Sequence, residues 1–139
     1  MSFLIDTNVV SELRKKRQAN PVVFDWFSKL SDSDIFLSVL TVGELRRGIE
    51  RIRVRDTRQA AALNSWLTGL IASYGDRILP IDLNVATEWG NLPSRDTLPV
   101  IDALIGATAR CYGLTVATRN LKDISRTGAV CINPFISNA

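Results

Sequence analysis

Short apolar runs alternate with segments of helical periodicity along the whole chain. The runs predict buried strands at Phe3–Ile5, Ile35–Ser38, Ile78–Leu79, 114–117 and 130–132. Between them, apolar residues recur at spacings of three and four, as on one face of a helix. Because strands and helices alternate throughout, the pattern predicts an α/β fold with a central, mostly parallel sheet and helices on both of its faces.

The ends of several predicted helices carry capping signals. Helices are expected at about residues 8–16, 21–30, 84–89 and 99–113, at Thr57–Tyr74, and from Thr41 onwards. Asn20 before Pro21 is a favourable N-cap and first position, and Asn84 is another potential N-cap. Gly75 is suited to end the longest helix. The basic run at residues 14–17 is expected to close the first helix, where cations suit the C-terminus.

The pattern predicts a single domain over residues 1–139, because no linker, repeat or low-complexity segment interrupts it. No apolar run is long enough to cross a bilayer. The N-terminal segment lacks the basic region and the apolar stretch of a secretion signal, so a cytoplasmic location is the default expectation.

Cys111 and Cys131 are expected to be small core residues.

Histidine is absent from the chain, and this narrows the possible chemistry. Triads that use a histidine base and zinc sites built on histidine are excluded. A catalytic centre would have to use carboxylates, hydroxyls, Lys or Arg, or a bound metal. The formal net charge of +3 permits a polyanionic partner, although a solvated basic surface explains it as well.

Four of the 14 acidic residues stand out by their place in the pattern. Asp6 directly follows the first predicted strand, and Asp123 follows the strand at 114–117. Ligands of open α/β sheets bind beyond the carboxyl ends of the strands, although a helix cap or a turn is an alternative role for both residues. Glu44 completes a Thr-x-x-Glu sequence that starts at Thr41, for which a capping box is the simpler explanation.

Asp102 is the acidic residue that fits a structural role least well. It lies in a predicted helix of almost entirely apolar or small residues, which should be largely buried. A buried charge without a partner is costly, and the nearest basic residue of this helix is Arg110, two turns away. A favourable interaction with the helix dipole is one alternative. A metal ion, or a polar group across the sheet, is the expected partner.

All four carboxylates are predicted at one edge of the sheet. Carboxylates gathered in this way repel one another and raise one another's pKa, which favours a divalent cation between them. Ligands that are all oxygen suit Mg²⁺ or Mn²⁺ better than zinc. Such ions assist displacement reactions at phosphorus.

Four short motifs occur in order along the chain. They are Asp6-Thr7-Asn8, Glu44-Leu45-Arg46-Arg47-Gly48, Asp102-Ala103-Leu104-Ile105 and Thr118-Arg119-Asn120-Leu121-Lys122-Asp123. In this order and spacing they resemble the motifs of the PIN-domain nucleases, specifically the toxins of the VapC and FitB type. Each motif alone is weak, but four in order over a domain of typical length are specific. Ile124 is a small departure, since the family often has Phe there.

The resemblance implies a Rossmann-like α/β/α sandwich and cleavage of RNA that depends on Mg²⁺ or Mn²⁺. The four acidic residues would form the metal cluster. Thr118 and Asn120 would support it by hydrogen bonding, with Asn8 and Ser11 as weaker candidates. The resemblance also implies a homodimer and inhibition by a cognate antitoxin, which can place an Arg or a Lys near the acidic site.

Two helix faces are further candidates for contacts with partners. Arg47 and Arg51 follow Glu44 at spacings of three and seven, so they share one face and are candidate contacts for an RNA backbone. A local Glu–Arg pair with a solvated Arg is the alternative. An apolar stripe on the longest predicted helix could form a dimer or antitoxin surface, although core packing is the more common explanation. The stripe consists of Trp66, Leu67, Leu70 and Ile71.

Three other functions remain open from the residues alone. A phosphotransferase of the haloacid-dehalogenase type also has an acid after its first strand, but normally as Asp-x-Asp, whereas Asn8 stands at the last of these positions here. A receiver domain would need an acidic pair before its phosphorylated Asp and a late Lys, and neither pattern is clear. A non-catalytic binding protein could keep the carboxylates as a metal-stabilised structural element.

Overall fold

A five-stranded parallel sheet forms the centre of the protein, in a computed structural model that describes residues 1–93 and 97–136. The strands are β1 (Phe3–Ile5), β2 (Ile35–Ser38), β3 (Ile78–Leu79), β4 (Thr115–Ala117) and β5 (Cys131–Ile132). All four neighbouring pairs are parallel, and the order is β3-β2-β1-β4-β5. The parallel sheet predicted from the apolar runs is therefore confirmed, with the first strand at its centre.

Seven α-helices connect these strands within the described ranges. They are α1 (Thr7–Leu13), α2 (Pro21–Ser28), α3 (Val39–Arg53), α4 (Thr57–Tyr74), α5 (Leu83–Gly90), α6 (Val100–Tyr112) and α7 (Leu121–Ile124). As predicted, α6 starts directly after Pro99 and ends at Gly113, which has a φ of 65°. In the parts of the chain that the structure describes, no helix is both long and apolar enough to cross a membrane.

The side chains of β1 divide the core into two layers. Phe3 and Ile5 belong to a buried cluster with apolar residues of α1, α2, α3 and α4. Leu4 belongs to a second cluster, which includes Ile105 of α6 and Ile124 of α7. Because successive side chains of a strand point to opposite faces, the two clusters lie on opposite sides of the sheet. The fold is the predicted α/β/α sandwich.

The apolar stripe of α4 packs mainly in the hydrophobic core. Leu67 is fully buried, and Trp66 and Leu70 pack against the cluster that contains Phe3. Ile71 remains 37% exposed. Core packing therefore explains three of the four residues of this stripe.

The first two helices are shorter than predicted. α1 ends at Leu13, and the backbone then reaches a φ of 55° at Lys16, which is incompatible with a continuing right-handed helix. The basic run at residues 14–17 consequently follows the helix and does not form its last turn. α2 ends at Ser28, two residues before the predicted end, while its predicted cap is confirmed because Asn20 Oδ1 accepts a hydrogen bond from the backbone of the second helical residue.

The predicted start of α3 is wrong. The helix begins at Val39, and Ser38 caps it, because the Ser38 hydroxyl accepts a hydrogen bond of 3.0 Å from the Leu40 N–H. Thr41 lies inside the helix, and its buried hydroxyl has no hydrogen-bond partner in the described part of the protein. A capping box therefore does not explain Glu44.

Two other local predictions are also wrong. Asp82, not Asn84, caps α5, since the Asp82 carboxylate accepts a hydrogen bond of 2.9 Å from the Val85 N–H. Cys111 is exposed on α6 instead of lying in the core, and Cys131 is half-buried. Position within a predicted element did not reveal which face each residue occupies.

Candidate active site

The carboxyl ends of the parallel strands bring together acidic side chains from distant parts of the chain. Asp6 follows β1, Glu44 lies on α3, and Asp102 lies in the first turn of α6. Asp123 lies on α7, a short helix that the sequence pattern did not reveal. The pKa of Asp102 is raised, first by burial and then by the charges of Asp6, Asp123 and Glu44. Asp102 is thus close enough to the other three carboxylates to experience their charges.

Asp6 is the most deeply placed of these carboxylates, with 6% of its surface exposed. It accepts hydrogen bonds of 2.8 Å from the Thr7 N–H, 2.8 Å from Thr118 Oγ1 and 3.3 Å from Asn8 Nδ2. Burial raises the pKa of Asp6, while these three donors lower it. Asp6 therefore caps α1 and also faces the acidic cluster, so the two roles considered for it do not exclude each other.

Thr118 and Asn120 hold the carboxylates from the β4 side. The buried Thr118 hydroxyl donates to Asp6 and accepts from the Asn120 N–H at 2.9 Å and from Asn8 Nδ2 at 3.3 Å. This uses its one hydrogen and both of its lone pairs. The Asn120 amide donates to Asp102 Oδ2 at 3.0 Å and to Asp123 Oδ2 at 3.4 Å. One amide thus joins two carboxylates.

Asn8 and Ser11, the weaker candidates for support of the carboxylates, differ in their contacts. Asn8 contacts Asp6 and Thr118 through its amide nitrogen, and its Oδ1 accepts a hydrogen bond from the backbone of the residue after Thr118. Ser11 is half-buried on α1 and makes no hydrogen bond with the four carboxylates in the described residues. Of this pair, only Asn8 contacts the acidic cluster.

Thr7 is a site residue that the sequence reasoning missed. Its hydroxyl donates a hydrogen bond of 2.5 Å to Glu44 Oε1, across 37 positions of sequence. Its place between Asp6 and Asn8 was the signal that could have identified it. Thr7 links β1's end to α3 and holds Glu44 beside the other acids.

A groove on α3 leads away from Glu44. Its volume is about 500 Å³, and its lining includes Arg47, Arg51 and Ile101. Neither arginine forms an ion pair among the described residues. The local Glu44–Arg47 pair considered from the sequence is therefore not formed, and both guanidinium groups are open to a ligand.

The donor set of the cluster suits a hard divalent cation, because its members are carboxylates with few neighbouring cations. The ion pair found for these four in the described residues is that of Asp123 with Arg126, at 3.8 Å. Within those residues, however, no three acidic or sulfur-bearing side chains lie close enough together to hold a metal ion as they stand. The residues therefore fit a metal by chemistry, and binding requires the carboxylates to come closer.

Replacing Asp102 with asparagine is expected to raise the melting temperature of the metal-free protein by about 2–4 °C at pH 7. A partly exposed carboxylate is screened by water, so the gain in the free energy of unfolding is only about 1 kcal/mol. Because the pKa of Asp102 is higher in the folded state, the charged carboxylate costs stability above that pKa, and the cost disappears as the pH falls through it. Thermal unfolding between pH 4 and pH 8, with EDTA present, measures the difference. If the difference in melting temperature between the variant and the parent were the same at pH 4 and at pH 8, the raised pKa of Asp102 would be contradicted.

The chain is similar to several known proteins. A family model described as the PIN domain matches residues 3–130. Toxin FitB of Neisseria gonorrhoeae is 32% identical, over 96% of this chain and 98% of the relative. VapC ribonuclease Y4jK of Sinorhizobium fredii is 30% identical, over 96% and 97%. The crystal structure of FitAcB from Neisseria gonorrhoeae superimposes with a TM-score of 0.86 at 32% identity, over 96% of this chain and 98% of that one.

Proposed function

The chain belongs to the PIN-domain family, and from this we propose that it is a metal-dependent endoribonuclease, the toxin of a toxin–antitoxin pair. The observation that carries the proposal is the cluster of carboxylates at the carboxyl edge of the sheet, where Asp102 experiences the charges of the other three acids. Family membership also removes the phosphotransferase and the receiver domain from consideration.

Asp6, Glu44, Asp102 and Asp123 would hold the metal, which would be Mg²⁺ or Mn²⁺. A divalent ion there would supply the positive charge that activates water and offsets the charge developing at phosphorus. The chain itself contributes orientation. Thr118 fixes the Asp6 carboxylate through a bond of 2.8 Å, and the other acids are held by the amide and hydroxyl donors already described. No side chain is needed as a covalent nucleophile.

RNA would be positioned mainly through its phosphates. Arg47 and Arg51 support this role, because both line the groove beside Glu44 and neither is engaged in an ion pair among the described residues. An arginine binds phosphate oxygens through paired N–H groups, which fixes orientation as well as position.

The proposed antitoxin partner acts on the same cluster. A cation inserted by such a partner would offset the carboxylates where the metal would otherwise bind, and so inhibit cleavage. The relatives are named Toxin FitB and VapC ribonuclease Y4jK, which supports the proposed roles of this chain as a toxin and as a ribonuclease. A homodimer, as the family resemblance implies, belongs to the same proposal.

Removal of metal is expected to abolish cleavage. The purified chain should cut single-stranded RNA with Mg²⁺ or Mn²⁺, lose this activity with excess EDTA, and recover it when the metal is restored. Labelled RNA separated by gel electrophoresis measures the rate, and a sample that contains the metal without protein is the control. Cleavage that resists EDTA would contradict the proposal. Thermal stabilisation by Mn²⁺ without any cleavage would instead point to a metal-stabilised binding protein.

A further inference from the structure

Arg119 stands between the two residues that organise the acidic cluster from the β4 side, Thr118 and Asn120. Its backbone N–H donates a hydrogen bond of 3.0 Å to Asn8 Oδ1, so its place on the backbone is tied to the cluster's own network. The residue is exposed. The backbone of Arg119 therefore lies beside the acidic cluster, and its positively charged side chain is exposed.

The Arg119 side chain is held by an aromatic ring. Its guanidinium carbon lies 3.8 Å from the centroid of the Phe135 ring, a close cation–π stack. Phe135 itself is anchored, because it packs against the buried cluster under α1–α4 and its N–H donates to Asn133 Oδ1 at 2.9 Å. The stack fixes the plane of the guanidinium before any ligand arrives.

The N–H groups of this guanidinium are not used inside the described part of the protein. Arg119 makes neither an ion pair nor a side-chain hydrogen bond there. The pKa of the Glu12 carboxylate is lowered first by the hydrogen bond of 2.8 Å that it accepts from the Asn20 N–H, then by that of 3.1 Å from Lys15 Nζ, and least by the charge of Arg119. An immobilised guanidinium with open donors is suited to bind an oxyanion such as phosphate.

The sheet order places Arg119 on the other side of Asp6 from the α3 groove. Along the carboxyl edge, α3 follows β2, Asp6 follows β1, Arg119 follows β4, and Phe135 follows β5. A ligand that touches both the α3 arginines and Arg119 must therefore cross the carboxylates. A polyanionic strand has the repeated phosphates that such a path requires.

We propose that Arg119, stacked on Phe135, binds a backbone phosphate of the RNA substrate on the β4–β5 side of the acidic cluster. This rests on the proposed ribonuclease function and adds a second phosphate site across the cleft from Arg47 and Arg51. RNA held at both ends would lie across the carboxylates.

Binding of labelled single-stranded RNA, measured at several salt concentrations in an Asp102→Asn background, tests the proposal. Arg119→Gln is expected to weaken binding about five- to tenfold at low salt and to reduce the slope of log K against log salt by about 0.7, the value for one phosphate contact with a single strand. Phe135→Leu keeps the charge, so it should weaken binding and leave the slope unchanged. Arg58→Gln, an exposed charge change on α4, is the matched control and should change neither quantity.

The outcomes separate this inference from the proposed function. In the active protein, Arg119→Gln should raise KM for RNA more than it lowers kcat. If the parent protein cleaves RNA but Arg119→Gln binds RNA with the affinity and slope of the Arg58→Gln control, Arg119 is not a phosphate site, and the ribonuclease function stands. If Arg119→Gln weakened the binding of an acidic peptide but left RNA binding unchanged, the inference would also be overturned. Absence of any cleavage by the parent would overturn the proposed function itself.

Discussion

Asp102→Asn is expected to lower the rate of RNA cleavage at least about 100-fold while leaving the fold intact. Changing groups that merely orient metal ligands typically costs about 10- to 100-fold in activity, so loss of a ligand should cost no less. Asparagine has nearly the same shape, and its carbonyl oxygen can still accept the hydrogen bond that Asn120 donates to Asp102 Oδ2. The change removes one negative charge, and with it a strong oxygen ligand for a divalent cation.

The matched control for this variant is Asp76→Asn. Asp76 is exposed in the turn after α4, so its replacement makes the same charge change away from the cluster. Initial rates with Mn²⁺ present compare the two variants with the parent, and circular dichroism checks the fold. Equal activity in Asp102→Asn and in the control would show that the carboxylate cluster is not the catalytic centre.

Gly106→Ala is expected to destabilise the protein by about 3 kcal/mol, and to lower its melting temperature by about 10 °C. A Cβ added to Gly106 would overlap Thr127 Oγ1 and lie 2.5 Å from Thr127 Cβ. Thr127 cannot rotate away, because it is fully buried and its hydroxyl donates to the Ile124 carbonyl at 2.6 Å. The backbone of α6 would have to move, and α6 carries Asp102.

Gly69→Ala supplies the contrast for this variant. Gly69 is an exposed helical residue of α4, and an added Cβ would meet nothing within 4 Å. There alanine should stabilise the helix by about 0.5–1 kcal/mol. Urea unfolding measures both changes. Similar effects of the two substitutions would mean that α6 does not approach Thr127 as closely as the structure shows.

The strands and the edge of the sheet could be predicted because local sequence determines them. Short apolar runs marked the strands, and parallel strands present their carboxyl ends at one edge. Asp6 was therefore expected at that edge from its position directly after Phe3–Ile5, and Asp102 from its isolation in an apolar helix. Two of the predicted helix caps were wrong. Ser38 caps α3 and Asp82 caps α5, where Thr41 and Asn84 were predicted as caps. The predictions were wrong because several nearby residues can cap a helix equally well.

The individual partners of the residues that organise the site could not be predicted from the sequence. Thr7 bonds to Glu44 across 37 residues, and Asn8 bonds to Thr118 across 110. The stack of Arg119 on Phe135 likewise joins residues of two different loops. Such pairs depend on the relative placement of whole elements, which no periodicity within one segment encodes. The motifs identified the residues, and the tertiary structure assigned their partners.

The central place of β1 makes the site depend on a strand that is synthesised more than 100 residues after it. β1 is made first, yet it pairs with β4, which begins at Thr115, and the Asp6 N–H donates to the Ala117 carbonyl at 3.0 Å. A nascent chain that stops before β4 lacks Thr118 and Asp123 and cannot close the acidic cluster. Since domains fold as units once their sequence has emerged, the proposed activity can arise only after Thr118 and Asp123 have been synthesised. Products that stop before β4 would lack the proposed activity.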